Sequence, residues 1–224
     1  MSLMQNIFAH NWWATLLINF KLLPIRQAVK FPIVVYHRFR LTNTKGRIIL
    51  QTPNVHRGMI RLGSQGSEMF PISNETILYL QGDMVCHGTL VVGVGSCIRV
   101  GEGATLDLGD GAILGAQNMI FCEKRVTLCD EFLSAWQCQI MDTDRHGLTD
   151  LQTGVKEPFK KEVYVGKHTW IGNSVVINKG TYLPDNSIIA SGSMCNKDFS
   201  DEESYCLFAG RPAKVVRRNK KWEV

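Results

Sequence analysis

From Val165 onward the chain divides into sixes: VGKHTW, IGNSVV, INKGTY, LPDNSI, IASGSM and CNKDFS. The first column reads Val165, Ile171, Ile177, Leu183, Ile189 and Cys195, and the fifth reads Thr169, Val175, Thr181, Ser187 and Ser193. Small residues follow the aliphatic at Gly166, Gly172 and Ala190. A period of six fits neither a helix, which repeats every 3.6 residues, nor an uninterrupted strand, which repeats every two. A short strand followed by a tight turn does return to phase after six. Each unit then offers one large aliphatic and one small residue to a narrow interior. Three units close a triangular coil, and coils stack by parallel pairing. This predicts an all-β chain.

The repeat continues upstream less regularly. LCDEFL, SAWQCQ and IMDTDR (128–145) keep the frame, whereas VGVGSCIR, VGEGATLD and LGDGAILG (92–115) recur every eight residues, which reads as coils with two extra turn residues. Segment 47–90 has short β-like runs, RIIL and TILYL, that suit either poorly patterned coils or a cap. One lapse stands between intact coils: a polar loop over 143–162 holding Pro158. A long loop leaving a rigid scaffold is more often functional than not. The expected organisation is an N-terminal amphipathic extension over 1–40, a β-helix over 41–198 and a basic tail over 199–224.

Bulk properties narrow the function classes. Of 224 residues, 45% are apolar and 20% charged, which is ordinary for a globular chain. The net charge of +5 is mild, and its excess sits at the two ends, where it suits solvated tails, anionic lipid or a phosphorylated cofactor. Nucleic acid is not an expected partner. Seven cysteines without a CxxC pair read as reduced, mostly buried thiols. Met1-Ser-Leu before Met4 resembles an expression remnant, no signal peptide is evident, and the expected location is cytoplasmic. Residues 14–36 are too interrupted to span a bilayer. Trp12, Trp13, Leu16, Leu17 and Phe20 fit one helix face, for which burial against the protein is favoured over lying on a membrane.

WQCQIMDTDRH (136–146), HTWIGNSVVINKGTYLPDNSIIASGSMCNKD (168–198) and FAGRPAKVVR (208–217) resemble the hexapeptide-repeat acyltransferases, among them the maltose and galactoside O-acetyltransferases and those of bacterial polysaccharide clusters. The resemblance covers about 92–218. The opening NWWATLLINFKLLPIRQAVKFPI is more weakly similar to the extension of the polysaccharide-cluster enzymes. Departures are small: Cys129 stands where the family commonly has Gly, Cys195-Asn196 replaces Val-Thr, and Ser191 replaces Ala. The resemblance implies a left-handed parallel β-helix, a homotrimer with sites between subunits, acetyl-CoA as donor, no metal, and a saccharide hydroxyl as acceptor.

Attack of a hydroxyl on a thioester needs a base within hydrogen-bond reach, and an imidazole suits that task. His146, at the head of the loop, matches the family's catalytic His. Asp142 or Asp144 orients the ring, or both only satisfy turn backbone. A coil N–H near Trp136 suits an oxyanion. Asn118 approximates the acceptor-binding Asn, with Gln117 or a plain coil-turn asparagine as alternatives. By family position, Asn173, Ser191, Gly172 and Gly192 line the pantetheine arm, and Asn196, Lys197, Lys214 and Arg217 meet the nucleotide end. Trp170 is either a site wall or a corner aromatic. Three other readings compete: a zinc enzyme on this fold, for which His87, His146 and His168 lack suitable spacing; a non-catalytic scaffold; and a non-sugar or amine acceptor.

Overall fold

A computed structural model describes residues 9–64 and 69–223. The chain winds through three strands per turn. The first coil is β1 (Ile33–Val35), β2 (Phe39–Thr44) and β3 (Arg47–Leu50), and the second is β4 (Ile60–Ser64), β5 (Thr76–Leu80) and β6 (Asp83–Cys86). The third is β7 (Leu90–Gly93), β8 (Cys97–Val100) and β9 (Thr105–Leu108), and the fourth is β10 (Ala112–Leu114), β11 (Met119–Cys122) and β12 (Arg125–Leu128). The fifth is β13 (Leu133–Ser134), β14 (Gln139–Met141) and, beyond the inserted loop, β15 (Val163–Val165). The sixth is β16 (Trp170–Ile171), β17 (Val176–Ile177) and β18 (Tyr182–Leu183). A seventh, β19 (Ile188–Ile189) and β20 (Met194–Cys195), is followed by β21 (Leu207–Gly210) and β22 (Ala213–Arg217).

Corresponding strands of successive coils pair in parallel, giving sheets of nine, seven and six strands. The register follows the repeat: Leu133, Trp170 and Ile188 lie side by side in the first sheet, and Gln139, Val176 and Met194 in the second. The whole first column, Val165 to Cys195, is fully buried. So are Val92, Val100 and Leu108, the eight-residue column, whose extra residues lie in the turns. The small second column has a steric cause. A Cβ on Gly166 would stand 2.5 Å from the Asp185 nitrogen, and one on Gly172 2.6 Å from Ser191 Oγ, in the next coil. Two fifth-column hydroxyls donate to backbone, Thr181 to the Cys195 carbonyl at 3.1 Å and Ser187 to that of Pro184 at 2.6 Å.

Segment 47–90 forms regular coils rather than a cap. The coil begins at Ile33, inside the segment read as an extension, because Ile33-Val34-Val35 is buried on both faces. The cap is α1 (Trp12–Leu22) with the short α2 (Ile25–Ala28). α1 buries Ile18 and Leu22 against the first coil, together with two polar residues. Asn19 donates to the Ile33 carbonyl at 2.7 Å and accepts from the Ile33 N–H at 3.2 Å, while Thr15 Oγ1 accepts from the Val35 N–H at 3.0 Å. These side chains close the unpaired edge of β1, the usual point of unwanted strand addition. At the far end the tail is structured: β21 pairs in parallel with β19 and turns back antiparallel into β22.

Candidate active site

Two groups of residues flank the second sheet. Along its entry edge, the corner between first and second sheets, Trp136, Asn173 and Ser191 stack in successive coils. The Ser174 N–H bonds the Trp136 carbonyl at 3.0 Å, and the Gly192 N–H bonds the Asn173 carbonyl at 2.9 Å. The ridge turns through left-handed backbone at Gln137, Ser174 and Gly192. A Cβ on Gly192 would meet nothing within 4 Å, so this stretch of ridge is open. Gly210 continues the line, its N–H bonded to Ser193 Oγ at 3.2 Å, and leads into β22, where Lys214 and Arg217 are exposed. Gly172 is buried under Ser191.

Along the exit edge the inserted loop leaves β14. It is an ordered two-stranded excursion, bridged at Thr143–Lys160 and Thr149–Lys156. His146 is exposed near its start, and among the described residues its imidazole makes no side-chain hydrogen bond. Asp142 is fully buried and accepts from the backbone N–H groups of Glu123 at 2.7 Å and Lys124 at 2.6 Å. Burial raises its pKa above the usual aspartate value, and the donor N–H groups pull it back down. Asp144 is ion-paired with Lys179. Neither carboxylate is bonded to His146. Asn196 and Lys197 lie exposed on this same edge, two coils further on, with Lys197 5.0 Å from the Phe199 ring.

Asn118 is buried within the coil stack. Its amide donates to the carbonyls of Gly115 and Ala135 and to Ser134 Oγ, and its carbonyl accepts from the Cys138 N–H at 2.6 Å. Three of these four bonds join the fourth coil to the fifth, and the one to Gly115 closes its own turn. Gln117 faces outward instead, accepting from Gln137 Nε2 at 3.0 Å. Trp170 projects from the first sheet, partly exposed, with the Trp222 ring 6.5 Å away.

Two participants escaped the sequence reading. Lys179, in the INKGTY turn, pairs with Asp144 and donates to the Pro158 carbonyl at 2.9 Å, tying both limbs of the loop to the sixth coil. Trp222 stacks on His168 at 4.3 Å and donates to its carbonyl at 2.9 Å. The repeat marks Lys179 only as a turn residue, and nothing local singles out Trp222.

No protein-family model matches the chain. Among curated proteins, "Probable acetyltransferase" of Mycobacterium tuberculosis is 32% identical over 114 residues, 50% of this chain and 37% of that protein. Galactoside O-acetyltransferase of Escherichia coli K12 is 38% identical over 61 residues, 27% of this chain and 29% of its own. Polysialic acid O-acetyltransferase of Escherichia coli O1:K1 is 27% identical over 136 residues, 60% and 41% respectively. Among solved structures, the polySia-specific acetyltransferase NeuO superposes with a TM-score of 0.57 at 20% identity, covering 86% of this chain and 79% of that one. The chain is thus similar in part of its sequence to acetyltransferases, and in its fold to NeuO. Its fold is a left-handed parallel β-helix. The polysialic acid O-acetyltransferase OatWY shares this fold, with a TM-score of 0.53 at 22% identity over 84% of this chain and 92% of that one. The chain spans well under half the length of the curated relatives it matches. No cluster of metal-ligating side chains occurs among the described residues.

Proposed function

We propose that the chain is an O-acetyltransferase that moves an acetyl group from acetyl-CoA to a hydroxyl of a sugar or surface-polysaccharide precursor. The observation that carries this reading is the division of the site. An open ridge built on Trp136, Asn173 and Ser191 runs along one edge of the second sheet, and a loop presenting an unengaged imidazole, His146, leaves the other edge. A neighbouring copy of the chain brings the two halves together.

The ridge suits an extended pantetheine arm, because Gly192 leaves it open and Ser191 is exposed on it. Lys214 and Arg217 beyond the ridge, with Lys197 from the facing copy, supply cations for the phosphates of the nucleotide end, and Asn196 beside Lys197 adds a neutral amide donor. His146 takes the hydroxyl proton as the oxygen attacks the thioester carbon. The tetrahedral intermediate collapses by breaking the C–S bond, and the imidazolium returns the proton to the departing thiolate. An acyl-cysteine route is disfavoured because burial raises the thiols: Cys86 and Cys195 to about 12 and Cys138 to about 11, with Cys97, Cys122, Cys129 and Cys206 also shifted upward. The relatives named for galactoside and polysialic acid support a saccharide acceptor.

His146→Ala tests the mechanism. Loss of a general base costs about 10²–10⁴-fold in rate. We expect kcat to fall by that order with a galactoside or sialoside acceptor, while the acetyl-CoA dissociation constant is kept. A kcat near the wild-type value would sink the mechanism, as would a competent acetyl-cysteine trapped by mass spectrometry.

A further inference from the structure

The first 67 residues contain nine Lys and Arg and not one Asp or Glu. The described residues among them, 9–64, build the end of the β-helix covered by α1 and α2. The inner side of α1 is consumed by the edge of β1. Its outer side is apolar as well: Trp13 is 84% exposed, Leu17 52%, and Leu16 and Phe20 more than 40%. Ile25 and Val29 extend the patch, at 63% and 56%. A contiguous apolar face of this kind marks an interaction site.

The charge around the patch decides among partners. Lys21, Arg26 and Lys30 lie on the two helices or at their end. Arg57 joins them, because the Gly58 N–H beside it bonds the Phe31 carbonyl at 3.1 Å. All four are exposed. The early cations that find carboxylates are Arg40, with Glu75 at 2.8 Å, and Arg47, with Asp83 at 2.6 Å; among the described residues none of Lys21, Arg26, Lys30 and Arg57 is ion-paired. Among the described residues, no helix is long and apolar enough to cross a membrane. An apolar helix face bearing tryptophan, rimmed by unpaired cations and free of acids, has the chemistry of an element lying in a bilayer interface. A second copy would set the same cations against each other.

We propose that the α1–α2 cap docks the protein on the surface of an anionic lipid bilayer, with Trp13, Leu16, Leu17, Phe20, Ile25 and Val29 entering the headgroup boundary and Lys21, Arg26, Lys30 and Arg57 meeting lipid phosphates. This is independent of the acyl transfer proposed above.

The test is co-sedimentation of the full chain with vesicles of phosphatidylcholine alone or mixed with phosphatidylglycerol. Wild type should sediment with the anionic vesicles, and added salt should release it. Each cation near the surface contributes about fivefold in affinity, so Lys21→Gln/Arg26→Gln/Lys30→Gln should weaken binding roughly 100-fold. Trp13→Ser/Leu17→Ser should weaken it comparably. Both variants alter exposed side chains, and unchanged circular dichroism and thermal midpoint would show that they fold. The proposal is overturned if wild type stays in the supernatant, if binding ignores lipid charge, or if the folded variants bind as well as wild type. Loss of self-association in lipid-free light scattering, with vesicle binding intact, would assign the face to a second copy and overturn it too.

Discussion

Asp142 and His146 stand four residues apart in one motif, yet their surroundings differ entirely. The Asp142 carboxylate is sealed between coils and collects the N–H groups at the corner of the fourth coil. Asp142→Ala leaves those donors without an acceptor and should destabilise the chain by about 2–4 kcal/mol. Asp144→Ala breaks only a partly exposed pair with Lys179, and should cost under about 1 kcal/mol. Denaturant titration of the two variants separates them; equal costs would show that Asp142 is not the internal tie described. The sequence could not make this distinction. Both aspartates lie in a turn, and what separates them is a contact with Glu123 and Lys124, about twenty residues upstream. The same blindness applies to Asn118, three of whose four bonds run to Ser134, Ala135 and Cys138 in the next coil.

At the scale of elements, the repeat was legible because it is enforced by local sterics. A narrow interior accepts one aliphatic per strand, and the next coil excludes a Cβ at Gly166 and Gly172, so composition at those columns reports the fold directly. The ends were less legible because they obey different rules. Ile33-Val34-Val35 reads as a featureless apolar run and is in fact the first strand. In α1, Thr15 and Asn19 are polar residues on the buried side, the reverse of an amphipathic pattern, since their work is to complete a sheet edge. Asn19→Ala would leave the buried N–H and C=O of Ile33 unpaired, at a cost of about 2–4 kcal/mol. The guanidinium midpoint should drop accordingly. A change below about 0.5 kcal/mol would mean that water replaces the side chain and the edge is not closed by α1.

For the molecule as a whole, the three outer faces differ. The third sheet shows Arg47, Asp83, Asp107 and Arg125, joined as ion pairs. The first shows Ile113 and Trp170, and the second Met119, with Phe121, Met141, Val176 and Met194 partly covered. Packing the first sheet of one copy on the second sheet of the next would be a heterologous contact, which a triangular section allows to close into a ring of three. Sedimentation equilibrium should therefore give a trimer at assay concentrations; a fully active monomer would contradict the shared site. The stack of coils also acts as a spacer. Strands in a sheet lie about 4.8 Å apart, so the loop in the fifth coil stands roughly 20 Å beyond the capped end, and the seventh coil roughly 30 Å. With that end seated on a bilayer, the sugar attached directly to a lipid would pass beneath the imidazole. Only residues several units along a glycan would rise to it, so under the two proposals above the number of coils would select which sugar of a membrane-borne chain is acetylated.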